Sequence, residues 1–178
     1  MLHTSSVQLT GAESAVMETS KGTITFSFFA GAARNTVASF VELAESGFYN
    51  GVKFHRVIPG FVAQGGDPQT RDFSGEDVSA IVGRQGCGMT QPGDPLLGTG
   101  GPGWNQKAEF NSNKHVTGTL SMARSRDVDS AGSQFYICLA PQPSLDGQYT
   151  VFGQVVEGMD AVQSLGVGDE IVSITIAR

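Results

Sequence analysis

Arg56 and Gln64 are the residues whose types and setting most clearly indicate chemistry. They lie in a mainly apolar stretch, 54–67, in which no acidic residue precedes Asp67. A guanidinium group without a carboxylate beside it needs other acceptors. Amide and aromatic side chains around such an arginine favour the binding of a neutral carbonyl against an apolar surface over proton abstraction. A structural arginine that donates to loop carbonyls is the alternative, and these features alone do not separate the two.

Strands must position these side chains, because the stretch has the character of an apolar strand pair that carries Arg56 and Gln64. A period of two residues is typical of a half-buried strand. On this parity Arg56 shares a face with Phe54, and a later strand puts Gln134 and Tyr136 on one face. We therefore expect an arginine, amide groups and aromatic rings to meet at one surface of a sheet.

Two other candidate sites are weak by the same reasoning. Residues 98–103 match the pattern G-x-G-x-x-G, but they lack the preceding strand and the following helix of a dinucleotide site. Ser133, His55 and either Asp67 or Asp129 would supply the residue types of a serine hydrolase. Ser133 lacks the G-x-S-x-G setting between a strand and a helix, and His55 is interpreted as a structural histidine.

The composition indicates one globular domain and argues against nucleic-acid binding. The 178 residues carry 11 Lys plus Arg against 17 Asp plus Glu, a net charge of −6. Such a chain has no excess positive charge for a phosphate backbone or an anionic membrane. Cys87, Cys138 and three histidines show neither a disulfide framework nor metal-ligand spacing. Residues 1–13 lack the apolar segment of a signal peptide, so we expect a cytoplasmic protein.

Eight short strands and two helices are predicted, which indicates an antiparallel barrel or sandwich. Asn35 can cap the first helix, which Gly47 ends, and the second helix is Met159–Leu165. Residues 69–97 are rich in Gly, Pro and Asp and are expected to form a long surface loop. The strands are predicted at Ala15–Thr19, Thr23–Phe28, Phe54–Val57, Val62–Gly65, Thr119–Ala123, Phe135–Leu139, Val151–Val156 and Ile171–Ile176.

Four segments, in order, resemble the cyclophilin-type peptidyl-prolyl cis-trans isomerases. The similarity runs from about Ala15 to the C-terminus and is interrupted at 69–97, where typical members have a shorter link. The resemblance implies a mainly β fold, a closed eight-stranded antiparallel β-barrel capped by two α-helices. It also implies an N-terminal extension over 1–14 and a single domain over 15–178 with an inserted loop at 69–97. The segments are FHRVIPGFVAQGGD (54–67), GTLSMAR (118–124), SAGSQFYI (130–137) and LDGQYTVFG (145–153).

The resemblance implies an enzyme that accelerates rotation about X-Pro peptide bonds and so assists protein folding. In the family, the arginine that matches Arg56 hydrogen-bonds the prolyl residue and favours pyramidalisation of its nitrogen, while Gln64 supports the arginine. No metal and no cofactor is implied. The matching proline pocket consists of Phe61, Val62, Tyr136 and Leu145, and the matching positions for the peptide backbone are Ala123, Arg124 and Gln134.

Four of the substrate-binding positions depart from the residues that are common in the family. Val62 stands where Met is common, Tyr136 where Phe is common and Tyr149 where His is common. Ser144 stands where many members carry Trp at the pocket rim. The two tyrosines keep aromatic surface, so activity is expected to survive. Ser144 lacks the large contact and the indole donor of Trp, so cyclosporin is expected to bind weakly.

The expected partners are proline-containing peptides and unfolded or flexible proteins, bound by a monomer. Two other functions remain open. The pocket substitutions are the only argument for a non-catalytic proline-peptide binding module, and retention of Arg56, Phe61 and Gln64 favours the enzyme. A redox-regulated protein that uses Cys87 would require an exposed thiol of low pKa.

Overall fold

The computed structural model describes residues 1–178, and its main element is one sheet of eight antiparallel strands. All eight strands predicted from the alternating pattern are confirmed to within two residues. No helix combines the length and the apolar character of a membrane span. The strands are β1 (Ser14–Thr19), β2 (Gly22–Phe28), β3 (Arg56–Ile58), β4 (Val62–Gly65), β5 (Thr119–Met122), β6 (Phe135–Cys138), β7 (Val151–Glu157) and β8 (Ile171–Ala177). The helices are α1 (Arg34–Glu45), α2 (Gly75–Gly86) and α3 (Met159–Ser164), with 3₁₀ turns at Pro68–Thr70 and Pro143–Leu145.

The sheet is curled into a half-barrel but remains open, so the prediction of a closed barrel is wrong. The strand order is β3-β4-β6-β5-β7-β2-β1-β8, which leaves β3 and β8 as the two edges. Across the gap, residues 51–54 and 168–171 exchange backbone hydrogen bonds, and Lys53 and Glu170 form an isolated bridge. β3 has only three residues and begins after this bridge, so no continuous ladder joins the edges.

The prediction of two helices is also wrong, because α2 lies inside the stretch that was expected to be a loop. The Ser74 side chain caps α2 by accepting a hydrogen bond from the Asp77 backbone N–H at 3.1 Å. Val78 and Ile81, three residues apart, are buried on one face of α2 against Leu97. The sequence did contain a signal for the start of α2, namely Ser-x-x-Asp followed by apolar residues at helical spacing. The flanking Gly, Pro and Asp residues obscured it.

α1 is where the sequence predicted it, but Asn35 is not its cap. The cap residue is Ala33, and the carboxylate of Glu109 accepts from the backbone N–H groups of Asn35 and Thr36 at 3.2 and 2.7 Å. An anionic acceptor at this end satisfies free N–H groups and complements the helix dipole. The Asn35 side chain instead holds the N-terminal segment, because its Oδ1 accepts from the Ser5 backbone N–H at 2.9 Å.

The two faces of β4 and β6 serve different apolar clusters. Phe135 and Ile137 point into the main core, where Phe135 meets Phe40 of α1 edge to face at 5.5 Å. Tyr136 and Cys138 belong to a separate buried cluster. Successive side chains of a strand point to opposite sides of a sheet, so one short strand supports both clusters. The rigid core therefore fixes the backbone of the residues on the other face.

Candidate active site

The outer faces of β3, β4 and β6 bring the predicted polar residues into one row. In the antiparallel register Arg56 lies opposite Gln64, and Gln64 lies opposite Tyr136. Phe54 does not share this face, because it is fully buried in the main core. The parity argument fails there since the regular strand begins only at Arg56.

Seven apolar side chains beside this row form what we call the outer cluster. Tyr136 is its floor, and the ring of Tyr149 stands edge-on to it at 5.8 Å between centroids and 83° between planes. Perpendicular aromatic pairs of this kind are favourable packing geometries. The structure thus brings together all the residues predicted for a proline pocket. The outer cluster consists of Val62, Tyr136 and Cys138, which are buried, and Phe61, Ala123, Leu145 and Tyr149, which are partly buried.

Arg56 is exposed at the edge of the outer cluster and has no carboxylate partner. Its Nη1 donates to Gln64 Oε1 at 3.4 Å, and its Cζ lies 5.7 Å from the centre of the Phe61 ring. It makes no hydrogen bond to a loop carbonyl, so the contacts of a purely structural arginine are missing. Most of its five N–H donors are free to face a bound ligand.

Two glutamines connect Arg56 to a neighbouring loop. Gln64 Nε2 donates to Gln134 Oε1 at 3.1 Å, which leaves Gln64 Oε1 directed toward the guanidinium. Gln134 Nε2 donates to the carbonyl oxygens of Gly98 and Gly100 at 2.9 and 2.8 Å. Because carbonyls can only accept, they fix the orientation of the Gln134 amide, and this amide fixes the next one. This series of hydrogen bonds connects Arg56 to the backbone of residues 98–103, which we call the glycine-rich loop.

Asp67 anchors that glycine-rich loop. Its carboxylate is fully buried and accepts from the backbone N–H groups of Gly98 and Gly100 at 2.6 and 3.3 Å. A Cβ atom at Gly100 would lie 2.1 Å from Asp67 Oδ1, so only glycine permits this approach. The G-x-G-x-x-G pattern therefore serves a loop that holds a glutamine, and not a phosphate site.

Arg124, predicted to receive a peptide backbone, is held by its own chain. Its Nε and Nη2 both donate to the carbonyl of Gln148, at 3.1 and 2.8 Å. Its guanidinium lies 4.7 Å from the centre of the Tyr149 ring. Arg124 therefore supports the outer wall of the cluster, while the Ala123 backbone N–H is paired with the Gln134 carbonyl at 3.0 Å.

An open cavity of about 770 Å³ adjoins the outer cluster, lined in part by Gln64, Arg124 and the glycine-rich loop. Ser144 lies exposed in the second 3₁₀ turn, next to Leu145 of the outer cluster. The Ser144 hydroxyl makes no hydrogen bond, and the Ser144 carbonyl accepts from Gln148 Nε2 at 2.8 Å. The cluster and the cavity share Ala123, so together they form one continuous groove.

The competing nucleophile site is not assembled, whereas Cys87, the thiol of the redox alternative, is exposed. Ser133 Oγ is buried and donates to the Gly66 carbonyl at 2.7 Å, so no base receives its proton. Burial lowers the pKa of His55; Asp67 opposes that shift and Arg56 adds to it. His55 is therefore a neutral, buried side chain. Burial also raises the pKa of the Cys138 thiol to about 12, which makes this thiol unreactive.

Sequence reasoning missed one buried polar group, His115. Its Nε2 lies 2.9 Å from the hydroxyl of Tyr136, and its Nδ1 lies 3.0 Å from Asp146 Oδ1. The available signal was Tyr136 itself, because a tyrosine in an apolar pocket needs a partner for its hydroxyl. Nothing in the sequence showed that His115 would be that partner.

The chain matches a family model described as cyclophilin type peptidyl-prolyl cis-trans isomerase/CLD over residues 14–176. A peptidyl-prolyl cis-trans isomerase of Synechococcus elongatus is 45% identical over 164 residues, which cover 91% of this chain and 94% of the relative. One from Helicobacter pylori is 40% identical over 167 residues, covering 92% and 86%. A crystal structure of a Cryptosporidium parvum cyclophilin type isomerase in the presence of the dipeptide Ala-Pro superposes with a TM-score of 0.72 at 25% identity, covering 93% and 99%.

The Gly100→Ala substitution tests the contact between the glycine-rich loop and Asp67. The added methyl group must displace a buried carboxylate, and we expect the free energy of unfolding to fall by about 1–3 kcal/mol. Gly101→Ala is the matched control, since no atom lies within 4 Å of its Cβ position. It should change stability by less than about 0.5 kcal/mol. Urea unfolding of both variants gives the comparison, and equal stabilities would contradict the assigned role of Gly100.

Proposed function

The chain belongs to the cyclophilin-type peptidyl-prolyl cis-trans isomerases, and we propose that Arg56 and the outer cluster are the parts that catalyse its reaction. The observation that carries this proposal is the pairing of an apolar pocket with an unpaired guanidinium. Arg56 Cζ lies 5.7 Å from the ring of Phe61, a member of the cluster. A proline ring bound in the cluster would therefore place its amide within reach of Arg56.

The chemistry of X-Pro isomerisation needs binding and no covalent step. Rotation about the peptide bond breaks amide resonance, and the barrier is about 18–20 kcal/mol. The barrier falls when an enzyme binds the twisted amide better than either planar form. In the twisted amide the nitrogen lone pair is no longer delocalised into the carbonyl. A donor aimed at that nitrogen stabilises the twisted form selectively.

Arg56 supplies such a donor, and Gln64 and Gln134 keep it oriented before the substrate arrives. Preorganised donors need no rearrangement during the reaction, which is the main source of electrostatic catalysis. The fixed fork of a guanidinium suits this role better than the flexible ammonium of a lysine. A proline ring bound against the apolar walls would displace water beside Arg56, which would strengthen the hydrogen bond from Arg56.

Phe61, Val62, Tyr136 and Leu145 are proposed to enclose the proline ring. The peptide backbone is proposed to run along Ala123, Arg124 and Gln134, past the rim residues Ser144 and Tyr149. This direction is supported by the groove that joins the outer cluster to the adjoining cavity. The related Cryptosporidium parvum protein was crystallised in the presence of Ala-Pro, which supports proline-containing peptides as substrates.

The physiological role that we propose is assistance to the folding of unfolded or flexible proteins, whose X-Pro bonds isomerise slowly without help. A monomer in the cytoplasm fits this role, and both cysteines are free thiols, as expected in a reducing compartment. We also propose that residues 1–14 form an extension packed on a single domain, with 69–97 as its inserted segment. The stacking of His3 on Trp104 at 4.0 Å supports the packed position of the extension.

Arg56→Ala is the variant that tests the catalytic proposal. Loss of one preorganised donor to a transition state costs about 2.7–4 kcal/mol, so kcat/KM should fall about 10²–10³-fold. Arg34→Ala, which removes an exposed arginine at the start of α1, should leave kcat/KM unchanged. A protease-coupled assay on an X-Pro tetrapeptide measures both variants. A folded Arg56→Ala protein with full activity would show that Arg56 is structural.

Ser144→Trp tests the proposed weak binding of cyclosporin. A large macrocycle covers the rim as well as the proline pocket, whereas a short peptide is held mainly in the pocket. The Trp side chain would add apolar contact and an N–H donor at the rim. We expect inhibitor affinity to rise at least tenfold, about 1.4 kcal/mol, while kcat/KM on a tetrapeptide changes only a few-fold. Nanomolar inhibition of the unsubstituted protein would contradict the proposal.

A further inference from the structure

His115 is a buried titratable residue to which the proposed reaction assigns no role. It is 2% exposed and lies beneath the outer cluster, with its ring stacked near that of Tyr136 at 5.9 Å between centroids. Its two ring nitrogens face different partners, Asp146 on one side and Tyr136 with Ser121 on the other. Tyr136 forms part of the proposed proline pocket, and Asp146 follows the pocket residue Leu145 in the chain.

Asp146 fixes the tautomer of His115. One oxygen, Oδ1, accepts from the His115 backbone N–H at 2.7 Å and contacts Nδ1 at 3.0 Å. The backbone N–H of His115 lowers the pKa of Asp146; burial opposes this shift, and the His115 side chain reinforces it. Asp146 is thus a carboxylate that can only accept, so Nδ1 must carry the proton.

With the proton on Nδ1, the uncharged tautomer of the ring presents Nε2 as an acceptor. Ser121 Oγ is 3.2 Å from Nε2, but its proton is directed to the Thr150 carbonyl at 3.1 Å. The hydroxyl of Tyr136, at 2.9 Å from Nε2, is therefore the donor. Burial raises the pKa of Tyr136, which keeps this hydroxyl protonated.

We infer that His115 is a positioning residue, which Asp146 orients and which fixes the ring of Tyr136 as the floor of the proline pocket. This inference rests on the proposed role of the outer cluster. The hydrogen bond holds the far end of the ring, while the backbone of β6 holds the near end. Tyr149 packs edge-on against Tyr136, so the orientation of one ring sets that of the other. Leu145, another member of the outer cluster, immediately precedes Asp146 in the chain.

Tyr136→Phe and Asp146→Asn, alone and together, test the inference. We measure the Kd of an Ala-Pro tetrapeptide from chemical-shift titration, and kcat/KM from the coupled assay. Each single variant should raise Kd at least threefold. The double variant should be no worse than the weaker-binding single variant, because both changes interrupt one series of hydrogen bonds. Additive effects, or a Kd within twofold of the original in Tyr136→Phe, would overturn the inference.

Tyr49→Phe provides the matched control for a merely structural effect. The Tyr49 hydroxyl is also buried and donates to a carbonyl, that of Ser133, at 2.9 Å. Removal of the Tyr49 hydroxyl should lower the free energy of unfolding by about as much as Tyr136→Phe does. It should leave the Kd of the peptide unchanged. Nitrogen-15 spectra of the histidines supply a direct signature. His115 should show a protonated Nδ1 in the original protein, and its Nε2 resonance should move in Tyr136→Phe; an Nε2–H tautomer would overturn the inference.

The titration also separates this inference from the proposed function. If the peptide shifts no signal of the outer cluster in the unsubstituted protein, the proline pocket itself is wrong, and the inference fails with it. If the pocket signals shift and Kd is unaffected by Tyr136→Phe, the pocket stands and only the role of His115 is overturned.

Discussion

The buried carboxylate of Asp67 is the constraint on which the site depends. It holds the backbone N–H groups of Gly98 and Gly100, and the carbonyls of these two glycines hold Gln134. Hydrogen bonds to a charged group contribute about 1.5–3 kcal/mol each, and a buried carboxylate without them would be strongly destabilising. The hydrogen bonds to Asp67 therefore fix the glycine-rich loop, because its glycines have no side chains that could pack against the domain. The direction of Arg56 follows from this loop through two amide groups.

The pleat of the sheet explains how so small a domain supports both a core and a binding pocket. β6 contributes Phe135 and Ile137 to the main core and Tyr136 and Cys138 to the outer cluster. A reaction that only requires binding a twisted amide more tightly than a planar one gains directly from such rigidity. The hydrogen bond between the Tyr136 hydroxyl and His115 adds to this rigidity, because it holds the far end of a ring whose near end the backbone of β6 holds.

The sequence predicted the strands well, because strands depend on local patterns. Period-two alternation located all eight strands, and the resemblance selected side chains that the structure places in one groove. The closure of the sheet could not be read from such patterns, because it depends on how the chain ahead of β3 meets Glu170. Two contacts could not be predicted for the same reason. One is the acceptance of hydrogen bonds by Glu109 at the start of α1, and the other is the pairing of His115 with Tyr136. Each is a long-range contact with no local signature. The Ser74 cap of α2, in contrast, has a local sequence signature.

The central claim is that X-Pro bonds isomerise in the outer cluster beside Arg56. Exchange NMR of an Ala-Pro tetrapeptide with a catalytic amount of the protein, combined with amide shift mapping on the protein, tests it most directly. The account predicts cis–trans exchange peaks only when the protein is present, and the largest amide shifts at Phe61, Tyr136 and Leu145. Exchange accompanied by shifts concentrated elsewhere, such as the groove between α2 and the turn at Gly168, would contradict the account.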